Sequence, residues 1–455
     1  MTTDQEISLS VKNVDLPAKA VPQISDQHKA SRVPFSDFSA PSITIKAEDL
    51  FNPPQASVIP RHDPYGNEWF GRLKAEPSQV SENGIKYDFN TGLRIIVPKE
   101  LEGCRLVFGD SGSHTVFFDG IPQTEVCLSC TKKYYIKYYI RVYDKTDKDK
   151  IIFEHNFDAK DKPVLMHFPS ATIGDTIAWF SYVPEFQKRT GAKIYCCIHD
   201  KLSVLFKKQY PEIEFISPEN FTLDTVNPYA TYRLGLWFDG NDNDQANDFR
   251  YMGLHHAIGD ILGIESHDYP PEVDLSAERK IKEKYVVIAA QASSLTKCWT
   301  NPEGWINVIK YLKEQGYRVL CIDKDRFTGN GIFWNIIPNG AEDFTGDKPL
   351  QERIDLIKDA DFFIGASSGL SWLAWCCKVP VVLISGFTQP ENEFYTPYRV
   401  INRTVCHGCW NDMRETFDHS DCLWCPRHKG TPRHFECSRM ISSEQVIETI
   451  KPLIK

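Results

Sequence analysis

Twice along this chain, short apolar runs alternate with segments of helical spacing, a grammar that a parallel sheet flanked by helices satisfies. The first series opens at VLMHFP, turns through SATIGD, takes helical spacing over TIAWFSYVPEFQKRTG and returns to an apolar run at AKIYCCIH. The second begins at YVVIAA (285–290) and passes through GWINVIKYLKEQG, YRVLCI, LQERIDLIKDA, DFFIGA and SGLSWLAWCCK to VPVVLIS. Parallel strands need crossover connections, and their ligands collect at the carboxyl ends of the strands. The expectation is an α/β protein with two Rossmann-like halves facing a cleft, one over 161–280 and the other over 281–400.

The flanks follow other rules. Residues 84–160 carry IKYDF, LRIIV, RLVFG, HTVFF, KYYIKYYIRVY and KIIFEHNF, separated by turn-forming residues, and predict a small all-β module. Residues 1–83 open with polar, proline-dotted sequence (Pro17, Pro22, Pro34, Pro41, Pro53, Pro54, Pro60) and are expected to form a largely irregular arm. Residues 441–455 are expected to be helical. A net charge of −9 provides no basic field to gather nucleic acid or anionic lipid. No apolar stretch approaches the roughly 18 residues of a membrane span and the start lacks a signal-like apolar region, so a cytoplasmic location is expected.

Residues 401–440 depart from both grammars, with five cysteines and few aliphatic residues. Too polar for a core of its own, the segment needs another cross-link, and a metal held by thiolates supplies one. Cys406-x2-Cys409 and Cys422-x2-Cys425 can each chelate from a tight turn, and Cys437 follows. Spacing alone selects the two pairs, with zinc, in a structural site closed to water. Cys127-x2-Cys130 has no second pair at a matching distance, and Cys196, Cys197, Cys376 and Cys377 lie in apolar elements, so these are read as packed or surface thiols.

Three loops stand where a parallel sheet places its ligands. In Ser170-Ala-Thr-Ile-Gly174-Asp175-Thr176, Asp175 either faces the cleft or caps the helix that follows. Lys297 follows the first strand of the second half, and Ser367-Ser368-Gly369-Leu370-Ser371 joins a later strand to its helix. Small residues with free N–H groups at a helix start suit a pyrophosphate, and a lysine adds positive charge.

Taken together and in order, SATIGDTIAW, KCWTNPEGW, FTGDKPLQERIDLIKDADFFIGASSGLSWLA and SGFTQPENEF resemble the heptosyltransferases of GT-B fold. CWNDM, FDHSD, LWCPRHKGT and HFECSRMIS further resemble the iron-binding finger of the bacterial autotransporter heptosyltransferases, which modify adhesins on serine. The resemblance covers about residues 84–455 and implies a GT-B architecture with an N-terminal all-β module and a C-terminal cysteine metal finger. It implies ADP-heptose as donor and Asp175 as the catalytic residue. Thr172, Gly174, Thr176, Lys297, Ser367, Ser368, Gly369 and Ser371 are the expected nucleotide-sugar contacts. It also implies Cys406, Cys409, Cys425 and Cys437 as ligands of iron, or alternatively zinc, leaving Cys422 spare against the choice that spacing makes.

The lipopolysaccharide branch of the family usually carries Asp before Ser/Thr-Gly and His three residues beyond that glycine. Ser367 and Trp372 occupy those places, a departure that suits a protein acceptor. The function implied is transfer of heptose to serine hydroxyls of an autotransporter adhesin by a homo-oligomer. A GT-B transferase using another nucleotide-sugar, or a non-catalytic binding or assembly protein, are the alternatives.

Overall fold

Tyr285–Ala289, Phe363–Ala366 and Val381–Ile384 are buried along their whole length, as strands covered on both faces must be. In this computed structural model, which describes residues 74–237, 243–329, 334–418 and 420–455, they belong to a six-stranded parallel sheet. Its order is Glu342–Asp343, Arg318–Cys321, Tyr285–Ala289, Phe363–Ala366, Val381–Ile384, Arg399–Val400. Chain order reverses between Tyr285–Ala289 and Phe363–Ala366, with Ala289 opposite Gly365, so the switch point at which such sheets bind ligands falls there.

The preceding half repeats the arrangement. Glu214–Ile216, Lys193–Cys197, Pro163–His167 and Ala230–Arg233 lie side by side and parallel, and the chain reverses between the last two. The segment with helical spacing over 176–191 is two helices, Ile173–Phe180 and Val183–Thr190. Pro184, in the first turn of the second, has no N–H and would meet the carbonyl four residues back, so one continuous helix cannot form.

The β-rich segment is divided between two sheets. Thr115–Gly120, Arg105–Asp110, Tyr138–Tyr143 and Ile151–Asn156 make an antiparallel sheet. Lys86–Asn90 instead pairs parallel to Ala230–Arg233, with Phe89 opposite Ala230, and Arg94–Ile96 and Cys127–Ser129 extend that edge antiparallel. Most of the arm expected over 1–83 lies outside the described residues; Gln79–Val80 pairs with Lys86–Asn90.

One hydrophobic cluster runs from the first sheet to one face of the second, taking in Tyr182, Tyr285, Val287, Phe363, Trp372, Trp375 and Phe394. The other face of the second sheet is covered in part by Val446 and Ile450 from the helix Ser443–Ile450. Ser442 and Gln445 close that helix's start as a reciprocal capping box.

Candidate active site

The chain leaves Pro163–His167 and turns through Ser170 to Thr172, the N-cap of Ile173–Phe180. Thr172 Oγ1 accepts from the Asp175 N–H at 3.4 Å, and Ser170 Oγ donates to Asp175 Oδ2 at 2.8 Å. The Asp175 carboxylate is half-buried and oriented by Ser170. Thr176 is fully buried, and its hydroxyl has no hydrogen-bond partner among the described residues.

Gly174 and Gly369 bring the two halves into contact at the starts of two helices. A Cβ on Gly174 would lie 3.2 Å from Trp372 Cδ1 and 3.4 Å from Gly369 Cα, while one on Gly369 would lie 2.8 Å from Ile173 Cβ. A side chain at Gly369 would force this contact apart, and one at Gly174 would crowd it. The contact sets the Asp175 turn against Ser368, which precedes the first residue of helix Gly369–Cys376. Ser368 Oγ is buried without a partner among the described residues, whereas Ser371 Oγ donates to the Ala366 carbonyl at 2.6 Å.

Behind this loop lies a supporting group absent from the sequence reading. Ser367 Oγ donates to Glu393 Oε1 at 2.5 Å, and Arg399 pairs with Glu393 Oε2. Burial acts to raise the Glu393 carboxyl, but Arg399, Ser367 and Asn392 outweigh it and hold the group below its ordinary value. An acid and an arginine six residues apart were visible in sequence; their burial was not. Asp323 does similar work on the neighbouring loop, where its carboxylate accepts from the N–H groups of Ala290 (2.9 Å) and Gln291 (3.2 Å).

Lys297 follows Tyr285–Ala289 on the other side of the switch point and sits 6.0 Å from the Trp410 ring centre. Its loop is held by the cysteine-rich segment: Thr296 Oγ1 donates to the Trp424 carbonyl (2.8 Å), and the Cys422 carbonyl accepts from Ser294 Oγ (3.2 Å) and the Leu295 N–H (3.3 Å). Asn411 links the same segment to the Arg250 carbonyl at 3.0 Å.

Within that segment, burial pushes the Cys409 thiol up; Arg427 opposes this, and the nearby sulfurs of Cys406, Cys437 and Cys425 add to it. Cys437 is pushed up to about 12, first by burial and then by Cys425 and Cys406. Arg427 Nη1 lies 3.6 Å from Cys406 Sγ and offers positive charge to a thiolate there. Cys406, His428 and Glu436 also place ligand atoms within 4.8 Å of one another. Glu436 is already engaged, however, accepting from Arg433 and from the Cys406 N–H (2.9 Å). Thiols gathered in this way suit a soft ion of zinc or iron type, with Arg427 and Glu436 beside Cys406.

Two facing α/β units with their loops meeting at the switch points define a GT-B-like glycosyltransferase. Residues 250–418 match the model of glycosyltransferase family 9 (heptosyltransferase), and 82–158 match that of the glycosyltransferase TibC N-terminal domain. The autotransporter heptosyltransferase Aah of Escherichia coli is 48% identical over 83% of this chain and 95% of its own. The crystal structure of the iron-containing dodecameric glycosyltransferase TibC from enterotoxigenic E. coli H10407 superposes with a TM-score of 0.78, at 44% identity over 84% of this chain and 98% of that one. A TibC structure in complex with ADP-D-β-D-heptose gives the same TM-score at 45% identity and the same coverage. The inactive autotransporter heptosyltransferase BimC of Burkholderia thailandensis is 35% identical over 93% of this chain and 98% of its own. The chain belongs to the autotransporter heptosyltransferases, a family of heptose-transferring glycosyltransferases.

Proposed function

We propose that this chain transfers heptose from ADP-heptose to serine hydroxyls of an autotransporter adhesin in the cytoplasm. The observation that carries this reading is the Gly174–Gly369 contact, which sets a carboxylate from one half beside a helix start from the other. The acceptor hydroxyl attacks the anomeric carbon and passes its proton to Asp175, while the bond to ADP breaks and the diphosphate leaves with the electron pair. Lys297, Ser368 Oγ and the N–H groups at Gly369 meet the leaving charge. Thr172, Gly174 and Thr176 shape the turn beside the sugar, and Ser367 and Ser371 hold the donor loop from within. Trp372 takes the place of the histidine usual in the lipopolysaccharide branch, which favours a protein acceptor.

The finger ion is assigned to Cys406, Cys409, Cys425 and Cys437, with iron preferred over zinc because the TibC relative contains iron. When bound, it replaces four thiol protons and cross-links three stretches of chain. Self-association is supported by the dodecameric relative and by Val116, Phe117 and Ile121, apolar residues exposed on and beside the strand Thr115–Gly120. Light scattering well above the mass of one chain would bear this out.

The inactive BimC relative favours one other reading, a non-catalytic assembly protein. Mass spectrometry of a candidate adhesin after incubation with ADP-heptose separates the two. Serine-linked heptose is expected with the wild type and a severe loss with Asp175→Asn. A wild-type chain that leaves both donor and acceptor untouched, while binding ADP, would establish the assembly reading instead.

A further inference from the structure

Behind the cleft loops and apart from the cysteines, His255, His256 and Asp268 place one ligand atom each within 4.8 Å of one another. His255 Nε2 lies 2.8 Å from Asp268 Oδ1, and His256 Nε2 lies 3.7 Å from the same oxygen. The second distance is too long for a hydrogen bond, and His256 Nε2 is buried with no other partner among the described residues. The two imidazoles stand 3.9 Å apart between centres, so protonating both would set like charges against each other. An ion pair alone therefore leaves this group unsatisfied.

We propose that His255, His256 and Asp268 form a second metal site, for a first-row divalent cation, chemically distinct from the cysteine cluster. Two imidazoles and a carboxylate are the donor set that zinc, iron and cobalt share. Atoms bound to one such ion at about 2.1 Å lie roughly 3–3.5 Å apart, so the 2.8 Å pair would open slightly and the 3.7 Å pair close slightly to receive it. His255 is fully buried and fixed edge-on by Trp372 (5.4 Å) and Trp375 (6.0 Å), while the Asp268 side chain is 40% exposed and leaves a path for entry. Asp268 lies in the connection between the two parallel sheets, and Tyr395, beyond the second switch-point loop, donates its N–H to Asp268 Oδ1 at 3.3 Å. An ion here would tie the connection to both halves. The inference does not depend on the proposed reaction.

The test uses the full chain with its cysteine site occupied and cobalt(II) as the probe, followed by equilibrium dialysis and visible absorption. The wild type should take up one further cobalt with weak d–d bands and no thiolate-to-cobalt charge-transfer band. His256→Gln and Asp268→Asn should each weaken that binding by about 10-fold or more while retaining the finger metal and an unchanged circular dichroism spectrum. Absence of uptake beyond the cysteine site, uptake accompanied by a thiolate band, or equal affinity in wild type and both variants would overturn the proposal.

Discussion

Gly369→Ala is the most direct test of how the two halves meet. The added carbon would lie 2.8 Å from Ile173 Cβ and 3.1 Å from the Gly174 nitrogen. Carbon pairs settle at about 3.5–4.0 Å, so the two helix starts must separate by roughly 0.7–1.2 Å. Overpacking of this kind costs about 1–3 kcal/mol, offset by up to ~1 kcal/mol because alanine is the better helix former. A net loss of about 1–2 kcal/mol should lower the melting temperature by only a few degrees. Turnover should suffer far more, because displacing reacting groups by about 1 Å costs on the order of 100-fold. Gly174→Ala meets its nearest atoms at 3.2 and 3.4 Å and should fall between Gly369→Ala and wild type. Thermal unfolding and ADP release in the presence of acceptor give both readouts on one preparation. If Gly369→Ala keeps wild-type turnover, the glycine contact does not set the reacting geometry.

Lys297→Ala should weaken ADP binding by about 10- to 100-fold, the value of a charge-assisted hydrogen bond, and unchanged affinity by calorimetry would remove Lys297 from the donor site. Glu393→Gln leaves Arg399 buried without its carboxylate and should cost about 3 kcal/mol or more in denaturant unfolding. Because the Glu393 carboxyl is held below its ordinary 4.5, its contribution is complete above that pH and is lost as pH falls through the depressed value. The acid side of the stability profile should therefore be flatter in Glu393→Gln, and an identical slope would contradict the pairing. Among serine variants of the finger, those at Cys406, Cys409, Cys425 and Cys437 should lose metal by elemental analysis, while Cys422→Ser retains it. Loss at Cys422 with retention at Cys437 would restore the two-pair assignment.

The strands and helices of both α/β units were legible because buried strands are continuous apolar runs and their helices keep a 3.6-residue period. Less legible was anything set by contacts distant in sequence. The run IKYDF reads as a strand of the β-rich module, yet its partner Ala230–Arg233 lies some 140 residues away and draws it into the first parallel sheet. Cysteine spacing selects Cys422 and the family resemblance Cys437, and the sulfurs of Cys406, Cys437 and Cys425 all act on Cys409. A Cβ at Gly386 would lie 2.1 Å from the Cys437 carbonyl, so the chain around Cys437 is seated against a glycine 51 residues earlier, a contact that spacing does not show. Asp175 was ambiguous between a cap and a cleft-facing acid. In the structure Thr172 is the cap, and Asp175 supplies an N–H to it while Ser170 orients its carboxylate.

Metal removal should reach the donor site by a path visible in the hydrogen bonds. The Cys422 and Trp424 carbonyls hold Ser294, Leu295 and Thr296, immediately before Lys297, and Trp410 packs beneath the Lys297 ammonium. All three finger residues lie within three positions of a proposed ligand, so releasing the ion loosens the groups that position the lysine. Asp175 and Gly174 are instead fixed by Thr172, Ser170 and Gly369, none of which contacts the finger through these bonds. Stripping the metal under conditions that leave the chain folded should therefore weaken ADP binding in the same direction as Lys297→Ala, and the two perturbations should be less than additive. Calorimetric titration of ADP into metal-bound and metal-free wild type and Lys297→Ala completes a double cycle with an expected coupling of about 0.5–3 kcal/mol. Full additivity, or undiminished ADP affinity in the folded metal-free chain, would confine the ion to stabilising its own segment.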